Sequence, residues 1–598
     1  MKIIIKIFNL LSKKEKNQTI VIIFMTLIMG IFDALGVASI LPFISILSEP
    51  NLLSTNQFLK FIYSKSELIG IKNQSDFLFF LGFAVFLFLL ISLSFKALTT
   101  YMINRFVFMR EYSLGKRLLQ SYLCRPYVWF LNKNSSDLGK TILSEVSIVI
   151  RQGLTPLMNL IAQGAISSAI ILLLLIFNTK VTIIIFTSLF CAYSLTYIFV
   201  SGWLKRLGKE RLQSNSDRFK TISEAFGAIK NIKIKNLENI YEKSFSKPAF
   251  IFAKGQSTLR AISQIPRYIF EIFAFGGLIL LILYLMQTNG SFLISLPMIS
   301  LYAFAGYRLI PSLQQIYSSI TQIRFCGPAI ESLNKDLIKF KKTNSLSFEN
   351  TKFELKKSIK LEKISFSYPG SSNFALNNID LNIKQNSSVG IVGATGSGKT
   401  TLIDLILGLL TQTKGKLLID DIEITSVNKK NWQEIIGYVP QNVYLIDDSI
   451  ISNIALGIEK NSIDFDAIVK SAKIANLHDF IINELDEKYQ TIVGERGVRL
   501  SGGQVQRIGI ARALYHNPEV LVFDEATSSL DNITEKAVMD SLNCLVEKKT
   551  ILIIAHRLST VQNCDQIIFL DKGQIKATGT YSDLCLKNLD FRNLVGKQ

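Results

Sequence analysis

Histidine is the scarcest functional residue in this 598-residue chain: His478, His516 and His556 are the only three. A metal site built on several imidazoles is excluded, so any metal is expected to be Mg²⁺ carried in by a ligand and held on oxygens. Cysteine is sparse as well. Cys124, Cys191, Cys326, Cys544, Cys564 and Cys585 form no CxxC pair, and the three in the second half are expected to be reduced thiols, while the length and composition exclude a secreted disulfide scaffold. Acidic charge is short in one half only. Residues 1–350 hold 38 Lys and Arg against 17 Asp and Glu, whereas residues 351–598 hold 28 against 29. The net charge of +20 thus belongs to the first half. That basic charge lies among apolar runs and not on a soluble face, which argues against a nucleic-acid partner.

Those runs are what the first half has in abundance. No charged residue occurs in 152–179, in 181–204, in 272–307 or in 77–95, and Asp33 alone interrupts 17–48. A bilayer core of ~30 Å takes about 20 apolar helical residues. The pattern predicts an all-α domain over 1–330 with six membrane helices, at about 18–47, 77–104, 152–178, 180–204, 262–287 and 292–318. Short turns near 178–180 and 287–291 share one side with the segment 49–76. The opposite side carries thirteen Lys and Arg against five acids in 205–260, which places it in the cytosol. The first residues, with Lys2, Lys6, Lys13 and Lys14, read as an amphipathic cytosolic elbow and not as a signal peptide. Polar stretches at 105–150 and 205–260 predict helices that continue beyond the membrane. Within them, 135–139 and 213–224 are the expected coupling elements. Residues 331–350 read as a polar linker.

From 361 short apolar strands alternate with helices, the signature of an α/β domain over 351–598. A strand at 388–392 runs into Gly393, Ala394, Thr395, Gly396, Ser397, Gly398, Lys399 and Thr400, and then into the apolar helix 402–410. The glycines let backbone N–H groups wrap phosphates. Lys399 adds a point charge, and Thr400 offers a hydroxyl to Mg²⁺. A second apolar strand, 520–523, ends in Asp524 and Glu525: the first carboxylate suits Mg²⁺, the second an attacking water. Ser501, Gly502, Gly503 and Gln504 open a further helix whose exposed N–H groups suit a second γ-phosphate.

In this order these motifs resemble an ABC transporter half-molecule of the exporter type (type IV fold), over essentially the whole chain. The resemblance implies ATP and Mg²⁺ as cofactors, with Thr401 completing the phosphate loop. It implies that Tyr368 stacks on adenine, that Gln441 contacts Mg²⁺ and reports to the membrane half, that Asp531 forms the D-loop, and that His556 senses the γ-phosphate. Glu525, His556 and Gln441 are then the catalytic group. In this family the signature of one subunit completes the ATP site of the other. A chain with one loop and one signature is therefore expected to act as a homodimer in the bacterial inner membrane, its ATPase domain cytosolic.

Cargo must be read from the membrane half. Ionisable residues there are functional candidates. At 1.5 Å per residue, Lys96 lies about 28 Å and Arg308 about 24 Å from the outer ends of their helices, and Arg267 sits at similar depth. A cationic belt of these three suits an anionic head group, with snorkelling to the inner lipid head groups as the alternative. Asp33 reads as the partner of a nearby cation or of another helix. The stretches 35–43, 266–271 and 307–312 resemble flippases of lipid-linked oligosaccharides in bacterial protein glycosylation, with Lys96 where an arginine is usual. The resulting expectation is ATP-driven flipping of a lipid-linked glycan to the outer leaflet, with membrane lipids as further partners. The alternative is export of a peptide or amphipathic small molecule.

Overall fold

The computed structural model describes residues 2–48, 61, 63–64, 73–268, 271–272, 276–277, 279–280, 282–283, 292–341, 353–526, 532–546, 548–555 and 557–596. The chain divides into two units, Met1–Arg125 with Lys133–Asn344, and Pro126–Asn132 with Ser345–Gln598.

The first unit is helical. A short helix, Lys2–Leu10, buries Ile7 and Leu10 and ends before Ser12, whose hydroxyl accepts from the Glu15 N–H while Glu15 reaches back to the Ser12 N–H. This reciprocal cap launches the helix Lys13–Ala38, followed by Ile40–Ser48. Gln74–Leu123 runs for 50 residues, about 75 Å at the α-helical rise. Asn178 caps the next hairpin: its side chain accepts from the Val181 N–H, between Thr155–Phe177 and Thr179–Gly227. Ile229–Lys235, Glu238–Gln264 and the 50-residue Phe292–Lys341 follow among the described residues of the unit. Among the described residues, Lys13–Ser48, Ser75–Leu123, Ser135–Phe177 and Thr179–Gly227 are long and apolar enough to cross a membrane. The predicted span 292–318 opens the helix Phe292–Lys341. The predicted span 262–287 falls partly, and the segment 49–76 largely, outside the described residues.

One expectation is met and two boundaries are revised. The helices predicted to end their spans at 104 and 204 continue to Leu123 and Gly227, as the polar stretches implied. The predicted linker begins as helix, because Phe292–Lys341 runs through its first residues. Residues 135–139 do not join the ATPase unit. They form the helix Ser135–Lys140, in which Asp137 accepts from the Ser216 hydroxyl of Thr179–Gly227. The segment that joins the second unit is Pro126–Asn132, carrying the helix Tyr127–Leu131. Polar 135–139 finds partners on a neighbouring helix, whereas Val128 packs against an apolar core.

In the cytosolic extension two π-helical turns, Thr141–Glu145 and Ile150–Leu154, interrupt the helix that leads into Thr155–Phe177. The first aims buried Glu145 at Arg211, 2.7 Å away and fully buried, and at Asn215, also 2.7 Å. Close by in sequence, Gly208 allows a backbone crossing: a Cβ there would lie 2.0 Å from the Phe325 carbonyl oxygen.

The second unit has two sheets. Strands β1 (Ser358–Phe366), β2 (Leu376–Lys384), β4 (Lys414–Ile419) and β5 (Ile422–Glu423) form an antiparallel sheet in the order β2-β1-β4-β5. A six-stranded sheet, in the order β10-β9-β3-β8-β7-β6, joins β3 (Ser388–Gly393), β6 (Ile436–Val439), β7 (Val520–Asp524), β8 (Thr550–Ile554), β9 (Gln566–Asp571) and β10 (Gln574–Gly579). Its pairs are parallel except β9 with β10. Every residue of β7 and β8 is buried, as a parallel sheet covered on both faces requires.

Candidate nucleotide site

The carboxyl ends of the central parallel strands build the site. β3 stops at Gly393, and the chain turns through Gly396 and Gly398, at φ +81° and +103°, into the helix Lys399–Ile406. At Gly398 a Cβ would lie 2.9 Å from the Leu376 side chain and 3.0 Å from the Ala375 carbonyl, so only glycine fits. Lys399 is buried, and its Nζ donates to the carbonyls of Gly393, at 2.8 Å, and Ala394, at 3.1 Å. Burial holds its ammonium below the usual lysine range, opposed by the charges of Glu525 and Asp524. Ser397 Oγ is buried without a hydrogen-bond partner. A turn of this shape, with an orphaned hydroxyl and a lysine held by loop carbonyls, fits a phosphate chain that would draw Lys399 outward.

The neighbouring strand supplies the acids. Asp524 ends β7 and is buried. Glu525 follows at φ +52°, a left-handed conformation costing about 1–2 kcal/mol for a residue with a Cβ. Its N–H donates to the Ile554 carbonyl, at 3.1 Å. Because β6 pairs with β7, the chain leaving β6 arrives beside these acids. Gln441 Nε2 donates to Glu525 Oε2 at 2.6 Å, and the Tyr438 hydroxyl to Asp524 Oδ2 at 3.3 Å. Tyr368 is half-buried, packs edge-on to Phe366, and its hydroxyl bonds Thr401 at 3.0 Å. Thr400 is exposed at the start of the helix. Asp524 and Thr400 are the residues that could hold a divalent ion.

The comparisons with known proteins agree with this construction. The family model for ABC transporter matches residues 376–528, and that for ABC transporter transmembrane region matches residues 19–249. The alpha-hemolysin translocation ATP-binding protein HlyB of Proteus vulgaris is 33% identical over 504 residues, covering 82% of this chain and 68% of that protein. The chain belongs to the ABC transporter family. The leukotoxin export ATP-binding protein LtxB of Aggregatibacter actinomycetemcomitans is 33% identical over 488 residues, 79% of this transporter and 66% of that protein. A solved bacterial Atm1-family ABC exporter with ATP bound shares the fold, with TM-score 0.77 at 21% identity over 98% of both chains. The transporter thus joins a transmembrane helical domain to a cytosolic ABC ATPase domain that binds ATP, in the bacterial inner membrane.

Of the residues singled out in the sequence, the fold of this ABC transporter brings together Gly393–Thr401, Tyr368, Gln441, Asp524 and Glu525. It does not join them to the signature. Ser501 caps the helix Gly502–Leu514 in a reciprocal box with Gln504, and among the described residues no hydrogen bond or ion pair links 501–504 to the phosphate loop. Asp531 and His556 lie outside the described residues. In the membrane unit Lys96 and Arg308 meet on Asp33, at 2.8 and 3.2 Å, whereas Arg267 pairs with Glu271 at 2.7 Å.

Two residues escaped the sequence reading. Tyr438 lies three residues before Gln441, and its contact with Asp524 was given by no motif. Asp404 sits in the helix read as apolar; it is buried, and burial together with the charge of Asp524 pushes its carboxyl up to about 6. The available signal was a lone acid among leucines and isoleucines, four residues after Thr400 and so on the same helical face.

Proposed function

We propose that two copies of this transporter form the working exporter, and that its cargo is a polypeptide or another amphipathic molecule. The observation that carries the dimer is that, among the described residues, no hydrogen bond or ion pair joins Ser501–Gln504 to the Gly393–Thr400 loop within one chain. A second chain can present the signature's helix N-terminus to nucleotide held on the loop. ATP with Mg²⁺ supplies the phosphoanhydride whose cleavage drives the cycle. In this reading Lys399 and the loop amides bind the phosphates, and Thr400, Asp524 and Gln441 hold the ion. Glu525, oriented by Gln441, takes the proton of the attacking water. Tyr368 supports adenine, while Asp531 and His556 contribute at the γ-phosphate.

The toxin-translocating relatives support the polypeptide cargo. A second reading, transfer of a lipid-linked oligosaccharide to the outer leaflet, is favoured by one specific feature: Lys96 and Arg308 around a single acid leave one positive charge in excess. Each sugar hydroxyl moved into hydrocarbon without a partner costs several kcal/mol, about 4 or more, so such a cargo needs a polar, cationic path. ATPase stimulation in lipid nanodiscs separates the two. Stimulation by amphipathic polypeptides, with no response to lipid-linked oligosaccharide, is expected; the opposite pattern replaces the first reading by the second.

A further inference from the structure

Strand β6 carries one side chain able to make a hydrogen bond. Ile436, Gly437 and Val439 offer none, and Tyr438 presents its hydroxyl to Asp524 Oδ2 at 3.3 Å. Sheet register makes the meeting specific. Tyr438 lies opposite Val522 in the parallel pair of β6 with β7, and residues two apart share a face, so Asp524 stands one step further along the face that Tyr438 occupies. That face is otherwise aliphatic: Val520 and Val522 are fully buried, and Ile436 and Tyr438 pack against the same core. A phenol is not needed to fill such a surface. Burial and the charges of Asp524 and Asp404 push the Tyr438 hydroxyl up, so it stays protonated and donates. Asp404 approaches from the helix Lys399–Ile406, close enough for the charge of Asp524 to raise its carboxyl. Asp524 thus lies between a donor that attracts it and an acid that repels it, and both act on the turn of its carboxylate.

That turn matters to a bound ion. The last torsion of an aspartate is broad, and a hydrogen bond on one carboxylate oxygen narrows it. Mg²⁺ demands near-ideal octahedral geometry at short distance, whereas Ca²⁺ accepts more oxygens in flexible arrangements. A carboxylate held in one orientation therefore favours the smaller ion, and an unheld one levels the two. We propose that Tyr438 is a positioning residue of the nucleotide site: its hydroxyl holds Asp524 in the orientation that selects Mg²⁺ over Ca²⁺. The inference rests on the reading of Asp524 as a ligand of the ion that accompanies ATP. It gives β6 a part in ion choice, separate from the contact of Gln441 with Glu525.

The test uses the full chain in lipid nanodiscs and the fluorescent N-methylanthraniloyl derivative of adenylyl imidodiphosphate, which is not hydrolysed. Its dissociation constant is measured with a chelator, with excess Mg²⁺ and with excess Ca²⁺. The ratio of the chelator value to each of the others gives what that ion adds to binding. Tyr438→Phe keeps the ring and loses only the hydroxyl. In it the Mg²⁺ ratio is expected to fall about tenfold and the Ca²⁺ ratio much less, with the chelator value unchanged. That unchanged value shows that the site is folded. Asp524→Asn is expected to lower both ratios, and Tyr438→Phe added to it lowers them no further, because the hydroxyl acts only through that carboxylate. A tyrosine that merely packs the strand would move all three constants together. The proposal is overturned by an unchanged Mg²⁺ ratio in Tyr438→Phe, by an equal fall for both ions, by a weakened chelator value, or by a further fall in the Asp524→Asn background. If Asp524→Asn leaves both ratios unaltered, the reading of Asp524 as an ion ligand fails and this inference with it. In every other outcome that reading stands.

Discussion

At the residue scale, the proposed chemistry concentrates on Glu525 and the groups around it. A left-handed backbone directly after a buried strand turns this side chain toward Gln441, and the 2.6 Å contact shows that the sheet order, not the loop alone, positions it. Glu525→Gln is expected to lower ATP hydrolysis by about 10²–10⁴-fold with nucleotide binding retained, measured by phosphate release and by binding of a labelled nucleotide. Asp404 gives a prediction in pH. Its folded-state carboxyl titrates near 6, above the 3.8 of an unperturbed aspartate. A raised acid contributes stability that is full below the unfolded value and is lost as pH rises through the folded one. With nucleotide absent, Asp404→Asn should therefore melt like the unaltered chain near pH 4 and increasingly above it toward pH 8, by up to about 3 kcal/mol. A melting difference independent of pH would show that the carboxyl is not held as described.

At the element scale, long helices are tied by a few buried polar groups. Glu15 receives Ser113 and lies against Arg110 and Arg117, and Arg117 also bonds the Leu10 carbonyl, so the first short helix is fixed to Gln74–Leu123. Further along, Glu145 and Arg211 form an ion pair almost without exposure. Removing one partner strands a charge: Glu145→Ala is expected to cost about 3–5 kcal/mol, whereas Glu145→Leu combined with Arg211→Met should cost much less. Thermal melting of both variants in detergent checks the difference. Gly208→Leu should fail more severely, because no side-chain rotation relieves a Cβ placed 2.0 Å from a carbonyl oxygen. Loss of the folded, monodisperse species in size-exclusion chromatography is the expected outcome, with Gly202→Leu, where a Cβ meets nothing within 4 Å, as the tolerated control.

At the scale of the whole molecule, the proposed composite ATP site makes a prediction that no single-chain arrangement shares. Lys399→Ala and Ser501→Arg should each abolish hydrolysis in a pure dimer. A mixed dimer of the two places both defects in one site and leaves the other intact, so hydrolysis reappears. Co-purification through two different tags, followed by phosphate release, measures it. No recovery would mean that loop and signature serve each other within one chain.

Much of this was legible from residue order. The phosphate loop, the paired carboxylates and the charge-free spans are local patterns, dictated by backbone chemistry over a few neighbours or by the thickness of a bilayer. What residue order could not decide was which distant groups meet. The belt imagined from helix depth became two cations on one acid and a third on its own glutamate, because facing helices choose partners that depth alone does not specify. The segment joining the ATPase unit shifted from 135–139 to 126–132, since apolar burial outweighed polar character there. Asp404 gained its perturbed carboxyl only when the fold closed over it beside Asp524. Local signals determine elements and motifs; burial and proximity, which arise only when elements pack, determine charge, pairing and the identity of the counter-ion.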